Sequence, residues 1–154
     1  MAWHKDTDND FHFINSHDKA AAVPDTSKKA TLRNVLAERL RNSKNMVLIL
    51  GQTTRFDTDW VPFEISYAID SCTIPIIAAY PGYDYIQAPA DLASFWPYAL
   101  AERIQNGVAR AIHIPFRQAP MTDAIGQFTP DAPPNGSLSY YSRDAYASFG
   151  INIP

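Results

Sequence analysis

A chain of 154 residues, 46% of them hydrophobic, is expected to form one domain with a substantial buried core. Its formal charge of −3, without any Lys/Arg run, argues against nucleic acid as a main partner. No apolar stretch of about 18 residues marks a membrane span, so no membrane partner is expected.

The first ten residues are polar apart from Met1 and Trp3, a pattern closer to the tail of a helix than to a free terminus. They lack the apolar centre of a signal peptide. The lone cysteine, Cys72, cannot close an internal disulfide and suits a small core residue in a reducing compartment. The protein is therefore expected to be cytoplasmic. Phe11, Phe13 and Ile14 alternate as in a short strand, which ends in the polar run Asn15, Ser16, His17, Asp18. Pro24 and Asp25 signal a turn, after which Thr26 or Ser27 caps a predicted helix to about Asn42. Leu32, Val35, Leu36 and Leu40 share one face of it, with Arg33, Glu38, Arg39 and Arg41 mostly on the other.

Residues 46–51 (Met-Val-Leu-Ile-Leu-Gly) and 75–80 read as two buried strands, since nearly continuous apolar runs belong to a parallel sheet covered on both faces. Between them lie a polar loop, 52–59, and a predicted helix, 60–72, long enough for a crossover. Pro81 and Gly82 break the chain. A further helix starts at Pro89, is kinked or split by Pro97, and ends at Asn106 and Gly107. Residues 110–116 form a last strand, with Pro115 marking an edge position or strand end. A short helix over 121–128, a Pro/Gly/Asn loop over 130–139 and one or two helical turns over 142–149 complete the order. Alternation of strand and helix argues for a doubly wound α/β fold, a flavodoxin-like three-layer sandwich. The sheet is expected to be mostly parallel with about four strands. The single domain divides into a core, 11–128, and a C-terminal extension, 129–154.

In such a sheet ligands bind at the carboxyl edge of the strands. Thr53, Thr54, Arg55, Trp60 and Glu64 follow the first buried strand, and Ser16 and Asp18 follow the strand at 11–14, so all are expected at that edge. Hydroxyls and a guanidinium suit ribose and phosphate, and an indole can cover a ring. Each has a plainer alternative: a polar lead-in for Thr53, Thr54 and Arg55, a core anchor for Trp60, a solvated turn for Ser16 to Asp18, and for Glu64 a helix-start carboxylate paired with an arginine such as Arg55. His113, inside an apolar strand, reads as a hydrogen-bonded structural histidine. The histidines and Cys72 show no metal-ligand spacing, and Gly51 stands alone, without a phosphate-binding glycine loop. Tyrosines 80, 83, 85, 98, 140, 141 and 146 suggest an exposed aromatic surface for self-association.

The run from Leu36 to Gly51, then Thr53 and Thr54, then Trp60 and Glu64 in a W-x-x-x-E spacing, resembles the TIR-like domains of bacteria, relatives of the Toll/interleukin-receptor domain that include the sensor proteins of the Thoeris anti-phage system. The likeness covers about 11–82 well and 110–150 less specifically. It implies a flavodoxin-like fold and, in the enzymatic members, cleavage of NAD at the nicotinamide–ribose bond to ADP-ribose or a cyclic ADP-ribose signal. NAD is then the substrate and no separate cofactor is needed. The resemblance assigns the essential carboxylate to Glu64. Other members are non-catalytic interaction modules, and either kind implies a homo-oligomer or a partnership with other TIR-like chains. It further implies that the family's first strand and most of its first helix are missing ahead of Phe11, with Met1 to Trp3 resembling the end of that helix.

Overall fold

A computed structural model describes residues 26–154, with side chains from Lys29 onward. The strand expected at 11–14, with Ser16 and Asp18 after it, lies outside the described residues. Helix α1 (Thr26–Arg41) leads into β1 (Met46–Ile49), then α2 (Trp60–Ser66), which continues as a π turn over Tyr67–Ser71. β2 (Ile76–Tyr80), a 3₁₀ segment (Pro89–Phe95), α3 (Tyr98–Gln105), β3 (Ala111–Pro115), α4 (Gln118–Gln127) and α5 (Arg143–Ser148) follow. The described strands lie side by side in the order β1-β2-β3, all parallel, with Met46 opposite Ile76 and Ile76 opposite Ala111.

Period-2 alternation sends each strand's side chains to opposite faces. Met46, Leu48, Ile76, Ala78 and Tyr80 pack against Leu40 of α1, Val61 and Ile65 of α2, and Leu100 and Ile104 of α3. Ile77, Ala79, Ile112 and Ile114 pack on the other face against Met121 and Ala124 of α4 and Tyr146 of α5. Helices on both faces of a parallel sheet make the flavodoxin-like three-layer arrangement expected of the sequence. Pro97 divides its helix as expected, the 3₁₀ turn stopping at Phe95 and α3 starting at Tyr98. α4 begins three residues earlier than predicted, at Gln118.

The C-terminal residues cover the sheet. The backbone of 136–139 runs parallel to β3, with His113 N–H donating to the Ser139 carbonyl at 2.9 Å, which shields that edge. Tyr146 is wholly buried, and its hydroxyl accepts from Ile86 N–H at 2.9 Å. The tyrosines are thus not one exposed surface: Tyr80, Tyr141 and Tyr146 are core residues, while Tyr83, Tyr98 and Tyr140 remain exposed. Aromatic rings are large apolar payloads, and the β2–β3 layers supplied room to bury three of them.

The π turn explains the burial pattern of α2. Trp60, Val61, Glu64, Ile65, Ala68 and Ile69 are buried, a repeat of four residues. On an α-helix of about 3.6 residues per turn such a stripe drifts by about 40° per repeat. A wider turn carries the repeat onward, so the upper and lower parts of the helix face the sheet together.

Candidate functional site

β1 delivers the chain to the carboxyl edge, and a closed turn follows. Gly51 N–H donates to Thr54 Oγ1 at 3.0 Å, and that hydroxyl donates to the Ile49 carbonyl at 3.2 Å. Thr54 is therefore committed to the loop. Thr53, beside it, is exposed and takes no part in this pair of side-chain bonds. Arg55 reaches across the rim to the Ser94 carbonyl at 2.9 Å and lies 4.7 Å from the Phe56 ring centroid. It joins the β1–α2 loop to the 3₁₀ segment.

α2 starts without a side-chain cap from Asp59. Two residues earlier, Asp57 Oδ1 accepts from Asp59 N–H at 2.9 Å and Trp60 N–H at 3.1 Å, satisfying donors that a helix start leaves open. This bends the chain so that Trp60 enters the core at 4% exposure. Arg33 of α1 closes over it, 5.9 Å from the indole centroid and 5.5 Å from that of Phe63. Trp60 has the surroundings of an anchor between α1 and α2.

One turn on, Glu64 shares the Trp60 face and keeps 7% of its surface, with Oε1 sealed from solvent. Burying a carboxylate is costly, and proteins keep one inside mainly where it has a task or firm partners. A carboxylate held beside an apolar wall can stabilise positive charge developing on a bound substrate far better than one in bulk water. Among the described residues no group of three His, Cys, Asp or Glu side chains is arranged to hold a metal, and no helix is long and apolar enough to cross a membrane.

Sequence reasoning overlooked Asp57 and Phe56. The first was legible as an Asp three residues ahead of a helical apolar stripe, a helix-start signal. The second, a ring 64% exposed at the rim, shows only as an aromatic in a polar loop. Residues 1–85 match the family model described as the TIR-like domain of Thoeris protein ThsB, a span that includes the whole β1–α2–β2 unit and Glu64.

Proposed function

The chain belongs to the TIR-like domain family of Thoeris protein ThsB, and from that premise we propose that it binds NAD, or a close relative, at the carboxyl edge of β1 and cleaves the nicotinamide–ribose bond. The family's setting is Thoeris defence, in which this chain is a signalling domain. The observation that carries the reading is the burial of Glu64 at 7% exposure, on the same helical face as Trp60, directly after the β1 edge. Breaking the C1′–N bond sends the electron pair to the nicotinamide ring, which leaves neutral, and puts positive charge on the ribose. Glu64 stabilises that oxocarbenium-like state. Water captures it to give ADP-ribose and a proton; an internal nucleophile of the nucleotide gives a cyclic product.

The other parts are a rim rather than a second catalytic group. Thr53 offers an exposed hydroxyl for ribose or phosphate, Arg55 a cation at the loop junction, and Thr54 the fold of the loop itself. Trp60 sets the wall beside Glu64. Ser16 and Asp18, from the segment ahead of α1, complete the nucleotide's binding set. The domain acts as a homo-oligomer or with other TIR-like chains; Tyr98 and Tyr140, 80% and 49% exposed, are suitable contact residues.

Purified protein incubated with NAD is expected to release nicotinamide, and Glu64→Gln to lower the rate by about 10²-fold or more with an unchanged circular-dichroism spectrum. A folded Glu64→Gln protein that turns over NAD at the parent rate overturns the assignment. No nicotinamide release by the parent protein at any concentration, oligomeric or not, removes the NAD-cleaving reading.

A further inference from the structure

The turn that carries Glu64 is held from outside its own helix. Beyond Ser66 the backbone widens: Cys72 N–H donates to the Tyr67 carbonyl at 3.0 Å, five residues back, and Ile74 N–H to the Ala68 carbonyl at 3.1 Å. Such turns are rare, occur mostly as single turns inside α-helices, and strained backbone persists where surrounding contacts over-determine it. Here a pin stands on each side. From α1, Arg41 donates to the Tyr67 hydroxyl and its guanidinium lies 5.9 Å from the ring centroid. From α3, Arg103 grips Asp70 with two parallel bonds, Nε to Oδ1 at 3.0 Å and Nη2 to Oδ2 at 2.5 Å. Arg103 is anchored in turn by its own bond to the Ala99 carbonyl at 2.9 Å, and its side chain is only 15% exposed. A bidentate Arg–carboxylate pair fixes direction as well as distance.

We propose that Asp70 and Arg103 are positioning residues for Glu64: their ion pair holds the π turn open, and the open turn keeps the Glu64 carboxylate on the core face beside Trp60. Closing the π turn to α geometry removes about one residue from the winding, which rotates the preceding turn by about 100° relative to the pinned end. That rotation takes Glu64 off the buried stripe. Glu102, 3.6 Å from Arg103, sits on the same helix as the arginine and cannot replace Asp70 in tying α3 to α2. The consequence for turnover rests on the reading of Glu64 as the reacting carboxylate; the consequence for its burial does not.

Two measurements separate them. Carbodiimide-driven amidation of carboxyl groups, read by peptide mass spectrometry without nucleotide, reports the exposure of Glu64 against exposed Glu38 in the same chain. Glu64 is expected to react at least tenfold more slowly than Glu38 in the parent protein. In Asp70→Asn and Arg103→Gln its rate is expected to rise at least fivefold, and in the charge-swapped pair Asp70→Arg with Arg103→Asp to return toward the parent value. In turnover, the single variants are expected to lose at least tenfold in kcat with KM little changed. Folded single variants whose Glu64 stays as protected as in the parent overturn the proposal. If Glu64 becomes reactive while the parent shows no NAD cleavage, the positioning stands and the NAD reading alone fails. Should a single variant not fold, the charge-swapped pair decides: folded with Glu64 protected supports the proposal, folded with Glu64 exposed overturns it.

Discussion

The Tyr80 hydroxyl lies 2.7 Å from Nδ1 of His113, and this contact settles the tautomer of a histidine that has no exposed surface. His113 Nε2 is 2.9 Å from the Ser137 carbonyl, which can only accept, so Nε2 carries the hydrogen and Nδ1 receives one from Tyr80. The Tyr80 oxygen in turn accepts from the Trp96 indole N–H at 2.9 Å. Donation runs one way, from Trp96 through Tyr80 and His113 to the backbone that shields β3. The sequence-level reading of His113 as a bonded structural residue is what this chain of contacts describes.

The buried imidazole makes stability depend on pH. Desolvation lowers the His113 pKa from 6.5 to about 4, against a smaller opposing effect of the Ser137 carbonyl. Between those values the unfolded chain binds a proton that the folded chain refuses, so stability falls as the pH drops through this window and is regained as it rises. The loss is at most roughly 3 kcal/mol. Urea midpoints at pH 7 and pH 4.5 are expected to differ in this direction, and His113→Gln to reduce the difference. An equal pH dependence in both proteins contradicts the assignment.

Removing the middle of the relay costs more than a neutral hydrogen bond ordinarily contributes. Tyr80→Phe keeps the ring contacts with Phe95 and Tyr83 but leaves the His113 Nδ1 acceptor with no donor inside the core. The expected destabilisation is about 2–3 kcal/mol, because an orphaned buried polar group is penalised in full. Equilibrium urea unfolding measures it, with an unchanged m-value marking an unchanged core.

Trp60 and Arg33 separate an anchor from a cover. Trp60→Ala deletes a side chain 4% exposed and is expected to cost about 3–5 kcal/mol. Arg33→Ala removes a cation 5.9 Å above the same ring, on an exposed part of α1, and is expected to cost about 0.5–1 kcal/mol. Denaturant titration of both variants checks the ratio. A Trp60→Ala protein of nearly parental stability would mean that the indole is not the α1–α2 anchor.

What the sequence disclosed follows from how local each cause is. The apolar runs at Met46–Ile49 and Ile76–Tyr80 identify covered parallel strands because both their faces are buried, and Pro97 divides its helix because no alternative conformation restores the lost donor. Trp60 and Glu64, four residues apart in the sequence, share one buried helical face, as that spacing on a helix allows. The π turn was hidden because its cause is distant: the pins come from Arg41 and Arg103, on two other helices. The cross-rim bond of Arg55 was hidden for the same reason. Its partner, the Ser94 carbonyl, is a backbone atom 39 residues on, which no side-chain pattern announces. Burial of Tyr141 and Tyr146 likewise depends on how the last residues return over β2 and β3.

The end of the π turn offers a substitution that should stabilise the protein. Thr73 leaves the helix with φ at 55°, the left-handed region that β-branched residues avoid. It follows the Cys72 end of the turn and leads through Ile74 and Pro75 to β2, a position at which helices commonly use glycine. Left-handed backbone costs an L-residue about 1–2 kcal/mol, whereas glycine adopts it freely and loses about 0.5–1 kcal/mol of that advantage through its greater freedom when unfolded. Thr73→Gly is therefore expected to gain about 0.5–1 kcal/mol, and Thr73→Asn somewhat less. In a chain of this size that is a rise in Tm of about 1–4 °C, measurable by calorimetry. The Thr73 side chain itself is exposed. A lower Tm in Thr73→Gly would show that the threonine side chain contributes more at this helix end than its backbone strain removes.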